Sequence, residues 1–212
     1  MTSLSVHHLE TADGPGRWHI AEPDEPRGVL LLGGGHSGQV RSVDQDALAD
    51  ALPGHGWVVV RYELPWRVAG RTVGPRPPAS DPAWVAGMDA ARAAWPGLPL
   101  VTGGRSAGAR IACRTWDADL AGVLCLAFPL HPPGKPAQGR LGELQPVGVP
   151  ALLVSGARDP FGSPAELEEA LAADHAAARE LVIVPGATHS FPRTTAATVV
   201  EAVAGWLAGR SV

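Results

Sequence analysis

From Gly28 onward, short apolar runs alternate with stretches whose apolar positions recur at helical spacing. Gly28–Leu32, Trp57–Tyr62, Leu98–Thr102, Val123–Phe128, Ala151–Ser155 and Leu181–Val184 are the short runs. Runs of this kind, apolar at nearly every position, belong to strands covered on both faces. Between them, Val43–Leu52, Asp81–Trp95, Ala107–Trp116, Pro164–Ala173 and Thr194–Leu207 read as helices. The first stops at Pro53-Gly54, and the second is expected to start with Asp81 as its cap and Pro82 at its first position. The alternation predicts an α/β fold, a mostly parallel central sheet with helices on both faces.

Ahead of it, Ser5–Glu10 and Arg17–Glu22 flank the turn-forming Asp13-Gly14-Pro15-Gly16, which predicts an N-terminal antiparallel hairpin. Two stretches lack periodicity. Glu63–Asp81 reads as a long loop, and loops of that length are commonly functional or mobile. His131–Val147 is rich in Pro and Gly and shows no obvious helix. With no repeat and no composition break, residues 1–212 read as one domain.

In such sheets, ligands bind at the carboxyl ends of the strands. Three chemically suggestive residues fall there. Ser106 sits in Gly104-Arg105-Ser106-Ala107-Gly108, between a predicted strand and a predicted helix. That context makes a G-x-S-x-G match a sharp turn that exposes the hydroxyl. In a chain with 26 glycines the match alone has a real chance of being accidental. Asp159 and His189, each just past a later strand, strengthen it. A serine hydroxyl is a weak nucleophile until an imidazole takes its proton, and a carboxylate fixes that imidazole's tautomer.

The bland readings are a packing serine, a turn-capping aspartate and a surface histidine. Asp117, Asp119 and Asp174 are rival acids.

A second glycine cluster, Gly33-Gly34-Gly35-His36-Ser37-Gly38, follows the Gly28–Leu32 strand. As an oxyanion loop, its Gly35 N–H would join that of Ala107. As G-x-G-x-x-G it would cradle a pyrophosphate, with Glu63 on a ribose, the signature of a nucleotide-binding oxidoreductase. That alternative leaves the Ser, Asp and His placement unexplained. The expected walls of a substrate pocket are His36, Trp66, Arg67, Arg71, His131 and Phe161. Its arginines would suit a carboxylate-bearing substrate or simply a solvated loop.

Composition narrows the partners. The net charge is −4 with acids and bases interspersed, so no basic stripe marks nucleic acid and no long apolar run marks a membrane. The first ten residues lack a secretion-signal pattern, which leads to the expectation of a cytoplasmic protein. Cys113 and Cys125 are expected to be buried free thiols. No metal-ligand spacing is present: the adjacent His7 and His8 point to opposite faces of a strand. No cofactor is expected, and oligomeric state is left open.

These residues resemble a known group. Gly103 to Arg110, Phe128-Pro129-Leu130-His131-Pro132-Pro133-Gly134-Lys135-Pro136, Arg158 to Gly162, and His189-Ser190-Phe191 are similar to stretches of small, cap-less α/β-hydrolases of the dienelactone-hydrolase-like kind. The Glu63–Pro78 loop, with Pro65, Gly70-Arg71 and Arg76, also fits. The resemblance is to the branch shared by bacterial predicted hydrolases and eukaryotic subunits of nuclear acetyltransferase complexes. It implies Ser106, Asp159 and His189 as a triad acting on a small acyl substrate. Some relatives act as subunits, so a non-catalytic interaction module is the competing class.

Two positions depart from the group. Gly33 stands where the oxyanion loop usually carries histidine, and Ala107 stands where methionine usually follows the nucleophile.

Overall fold

The computed structural model describes residues 3–172 and 178–210. Eight strands form one sheet: β1 (Ser3–Thr11), β2 (Gly14–Glu22), β3 (Gly28–Gly33), β4 (Trp57–Glu63), β5 (Leu100–Arg105), β6 (Gly122–Leu126), β7 (Ala151–Gly156) and β8 (Arg179–Val184). Their spatial order is β1-β2-β4-β3-β5-β6-β7-β8. The hairpin of β1 and β2 joins antiparallel to β4, and the remaining pairings are parallel.

The helices are α1 (Val43–Ala51), α2 (Pro65–Val68), α3 (Asp81–Ala94), α4 (Ala107–Arg114), α5 (Leu141–Leu144), α6 (Pro164–Ala172) and α7 (Ala196–Ala208). Position 173, the predicted end of the sixth, lies outside the described residues, as does Asp174. No described helix is long and apolar enough to cross a membrane.

Strand alternation divides the core in two. Val29, Leu31, Val58, Val60, Leu153 and Cys125 face one layer, with Trp84 and Met88 of α3 and Ile111 of α4. Leu30, Leu32, Val59, Val101, Leu124 and Leu152 face the other, with Leu48 of α1 and Val203 and Trp206 of α7. The chain therefore leaves β3 for one face and leaves β5 for the opposite face. A crevice opens where two such neighbouring strands diverge, and it is the expected ligand site of an open α/β sheet.

Three local expectations change. Asp81 does not cap α3: Ser80 holds that position, and the Asp81 carboxylate instead takes two hydrogen bonds from Arg114 at 2.7 and 2.9 Å. A buried-side partner on α4 outcompetes a local backbone bond. The loop after β4 contains the short α2, and the Pro/Gly-rich stretch contains α5 and a 3₁₀ turn at Pro136–Gln138. Four residues are too few to show periodicity in sequence. Cys113 and Cys125 are free and buried, with sulfurs 3.5 Å apart.

Candidate active site

Ser106 ends β5 and starts α4 with φ 53° and ψ −104°, a sparsely populated conformation for a residue with a side chain. Its N–H donates to the Leu126 carbonyl at 2.9 Å, which ties the turn to β6. The flanking glycines are steric necessities. A Cβ at Gly104 or at Gly108 would sit 2.4 Å from the Gly33 carbonyl oxygen, so only glycine lets α4 and β3 approach this closely.

His189 follows β8 and brings Nε2 to 2.9 Å from the Ser106 hydroxyl. Its Nδ1 lies 2.9 and 3.1 Å from the two oxygens of Asp159. With the carboxylate accepting at Nδ1, the ring proton sits there, and Nε2 is left to accept from the serine. The Asp159 side chain is 1% exposed, so the charge works in a weakly screened setting. The Phe161 N–H donates to it at 2.9 Å.

Several groups hold the histidine. The Phe161 ring stacks on it, with centroids 4.0 Å apart. Arg105 donates to the His189 carbonyl and, at 3.0 Å, to the Ser190 hydroxyl. The Arg158 N–H donates to the Ala187 carbonyl at 3.0 Å, joining the acid-bearing and histidine-bearing loops. Gly156 makes that junction possible, since a Cβ there would lie 2.2 Å from the Thr188 carbonyl oxygen.

The glycine loop after β3 is held from beneath by Gln45, whose amide donates to the Gly33 carbonyl at 3.0 Å. Gly33 faces Trp84 so closely that a Cβ would lie 2.9 Å from the indole. Trp84 thus leaves no room for a side chain at this position. Gly38, at φ +69°, carries the Trp66 ring where a Cβ would stand. The dinucleotide reading loses its geometry here. Residues 39–42 separate Gly38 from α1, and the Glu63 carboxylate is engaged by Arg17 and His19 at 3.2 Å.

A cavity of about 540 Å³ contains Ser106, His189 and Phe161, and Gly35, His36 and Ala107 line it as well. A second, of about 360 Å³, lies across the glycine loop and includes Trp66 and Trp84. Of the predicted pocket residues, His36, Trp66 and Phe161 therefore line this crevice. Arg67 and Arg71 do not: Arg67 donates to the Arg71 carbonyl at 3.3 Å, and Arg71 faces a separate groove beside Asp13. His131 does not either. It is buried, with ring nitrogens 2.9 Å from the Pro132 carbonyl and 3.2 Å from the Glu166 carboxylate, and it anchors its loop.

Of the rival acids, Asp117 pairs with Arg92 at 2.7 Å, and Asp119 is exposed in the turn that follows it. The arginines sequence reasoning missed are Arg41, Arg105, Arg110 and Arg140, which also line the larger cavity. Nothing local in the chain marks them.

A doubly wound sheet with an N-terminal hairpin and a strained serine elbow defines the α/β-hydrolase class. The comparisons narrow this: the pattern of the family described as "Alpha/beta hydrolase domain" matches residues 26–203, and the chain belongs to that family. The chain is similar in structure to a dienelactone hydrolase from Anabaena variabilis, at TM-score 0.80 and 18% identity over 100% of this chain and 99% of the other. It is also similar to an α/β serine hydrolase without lid from Xanthomonas campestris, at TM-score 0.74 and 22% identity over 97% and 96%. A Coxiella burnetii α/β serine hydrolase homologue aligns at TM-score 0.75 and 20% identity over 95% and 97%. At these identities the likeness is one of fold. A comparison with the curated proteins finds no match.

The described chain carries no cap. The segment between β6 and β7 holds only the 3₁₀ turn and α5.

Proposed function

We propose that this protein is a serine hydrolase that cleaves an ester, thioester or lactone of a small acyl substrate. The observation that carries the reading is the unbroken hydrogen-bond line from Ser106 through His189 to the buried Asp159.

Ser106 Oγ attacks the carbonyl carbon as its proton passes to His189 Nε2. The carbonyl electrons move onto oxygen, where the N–H groups of Ala107 and Gly35 receive the charge. The C–O or C–S bond then breaks, and the leaving atom takes the proton from His189. Water repeats the sequence on the acyl-enzyme and releases the acid. Asp159 stays ionised and stabilises the imidazolium. His36 and Phe161 wall the reacting centre, and no cofactor or metal enters this scheme.

The test is intact-protein mass after incubation with a fluorophosphonate. A single adduct on wild type and none on Ser106→Ala is the expected result. Unlabelled, folded wild type would overturn the reading in favour of an interaction module on a hydrolase scaffold.

A further inference from the structure

The two cavities meet at Gly35, His36, Ala107 and Arg110, yet they differ in chemistry. The smaller has Trp66, Trp84, Tyr62, Leu64 and Ile111 in its walls. Its Arg110 and Arg114 are held by carboxylates, Arg110 by Glu143 at 2.6 Å and Arg114 by Asp81 at 2.7 Å. Arg76 reaches its rim from the exposed loop.

The larger is lined by Arg41, Arg105, Arg110 and Arg140, with no aspartate or glutamate among its described lining residues, although the chain as a whole is acidic. Three of these arginines have acidic partners: Asp46 for Arg41, buried Asp44 for Arg105 and Glu143 for Arg110. Arg140 has none among the described residues. It donates once, to the Pro129 carbonyl at 3.3 Å. Burial, and then the neighbouring Arg110, push its guanidinium pKa down, against a smaller upward pull from Glu143, whose carboxylate is already bonded to Arg110 and Arg114. It remains charged at neutral pH, with donors to spare.

The triad decides which part of a substrate goes where. The leaving atom must lie within hydrogen-bond reach of His189 Nε2, because His189 returns the proton to it. His189 lines the arginine cavity and not the aromatic one. We propose that the arginine cavity receives a leaving alcohol or thiol bearing a carboxylate or phosphate, with Arg140 as its specificity residue, while the aromatic cavity receives an apolar acyl group. This rests on the serine-hydrolase reading.

Four esters test it: phenyl butyrate, para-carboxyphenyl butyrate, its phosphate-bearing counterpart, and monophenyl succinate, which moves the carboxylate to the acyl side. The expected result is a kcat/KM for at least one of the two anionic leaving groups about tenfold to hundredfold above phenyl butyrate. The better of the two identifies the anion. Added salt should lower that ratio, and monophenyl succinate should show no such gain. Arg140→Gln should bring the ratio near one, and Arg140→Lys should keep part of it.

Equal rates on neutral and anionic leaving groups would overturn the inference. So would a ratio that survives in Arg140→Gln, or equal losses on all four esters in that variant, which would mark a merely structural arginine. Those results would leave the serine-hydrolase reading standing. No turnover of any ester together with no fluorophosphonate adduct would overturn both.

Discussion

Ser106 and Ala127 are the two described non-glycine residues with positive φ, at 53° and 49°. Both follow central strands at the same edge of the sheet. Both are tied to the next strand by one backbone bond, Ser106 N–H to Leu126 at 2.9 Å and Ala127 N–H to Val154 at 2.8 Å. There the likeness ends. Ala127 is 0% exposed, and its turn breaks the alternation of β6: Leu126 and Ala127 share one core layer, and Phe128 turns to the other. Ser106 opens onto a cavity with a histidine at hydrogen-bond distance. A sparsely populated backbone is therefore not itself a sign of chemistry. At one strand end it redirects packing, and at the other it presents a hydroxyl.

The two turns should respond differently to substitution. Ser106→Ala keeps the Cβ and the strain but removes the nucleophile. Its ester kcat/KM should fall by about 10⁴–10⁶-fold, by analogy with measured triad deletions, while its melting temperature stays near that of wild type. Asp159→Asn should cost about 10⁴-fold, because an amide at this position disfavours the required histidine tautomer. A loss below tenfold would show that the buried carboxylate does not set that tautomer.

Ala127→Val places a β-branched side chain in a positive-φ position inside a filled layer. Urea unfolding should report a loss of about 2–4 kcal/mol. Smallest is the glycine pair. Ser106→Gly should gain about 0.5 kcal/mol in a melt, as relief of strain outweighs added chain entropy. Ala127→Gly should be neutral within about 0.5 kcal/mol, since it also gives up a buried methyl group. Equal gains would mean that the Ala127 methyl contributes nothing to packing.

The amino-acid sequence by itself determined the layer architecture, the hairpin and the order of Ser106, Asp159 and His189 along the strand ends. Doubly covered strands and amphipathic helices write their burial into local periodicity, and a glycine-flanked serine turn is local too. Only the tertiary structure decided the neighbours of those residues. His131, expected at the pocket wall, turns to Glu166, while Arg67 and Arg71 pack outside the crevice. Phe161 stacks on His189, Trp84 occupies the space a residue-33 side chain would need, and Arg140 lines the cavity with no ion-pair partner among the described residues. These side chains come from aperiodic loops or meet partners tens of residues away. Their placement follows from how eight strands stagger and where their loops converge, and no window of the chain records that.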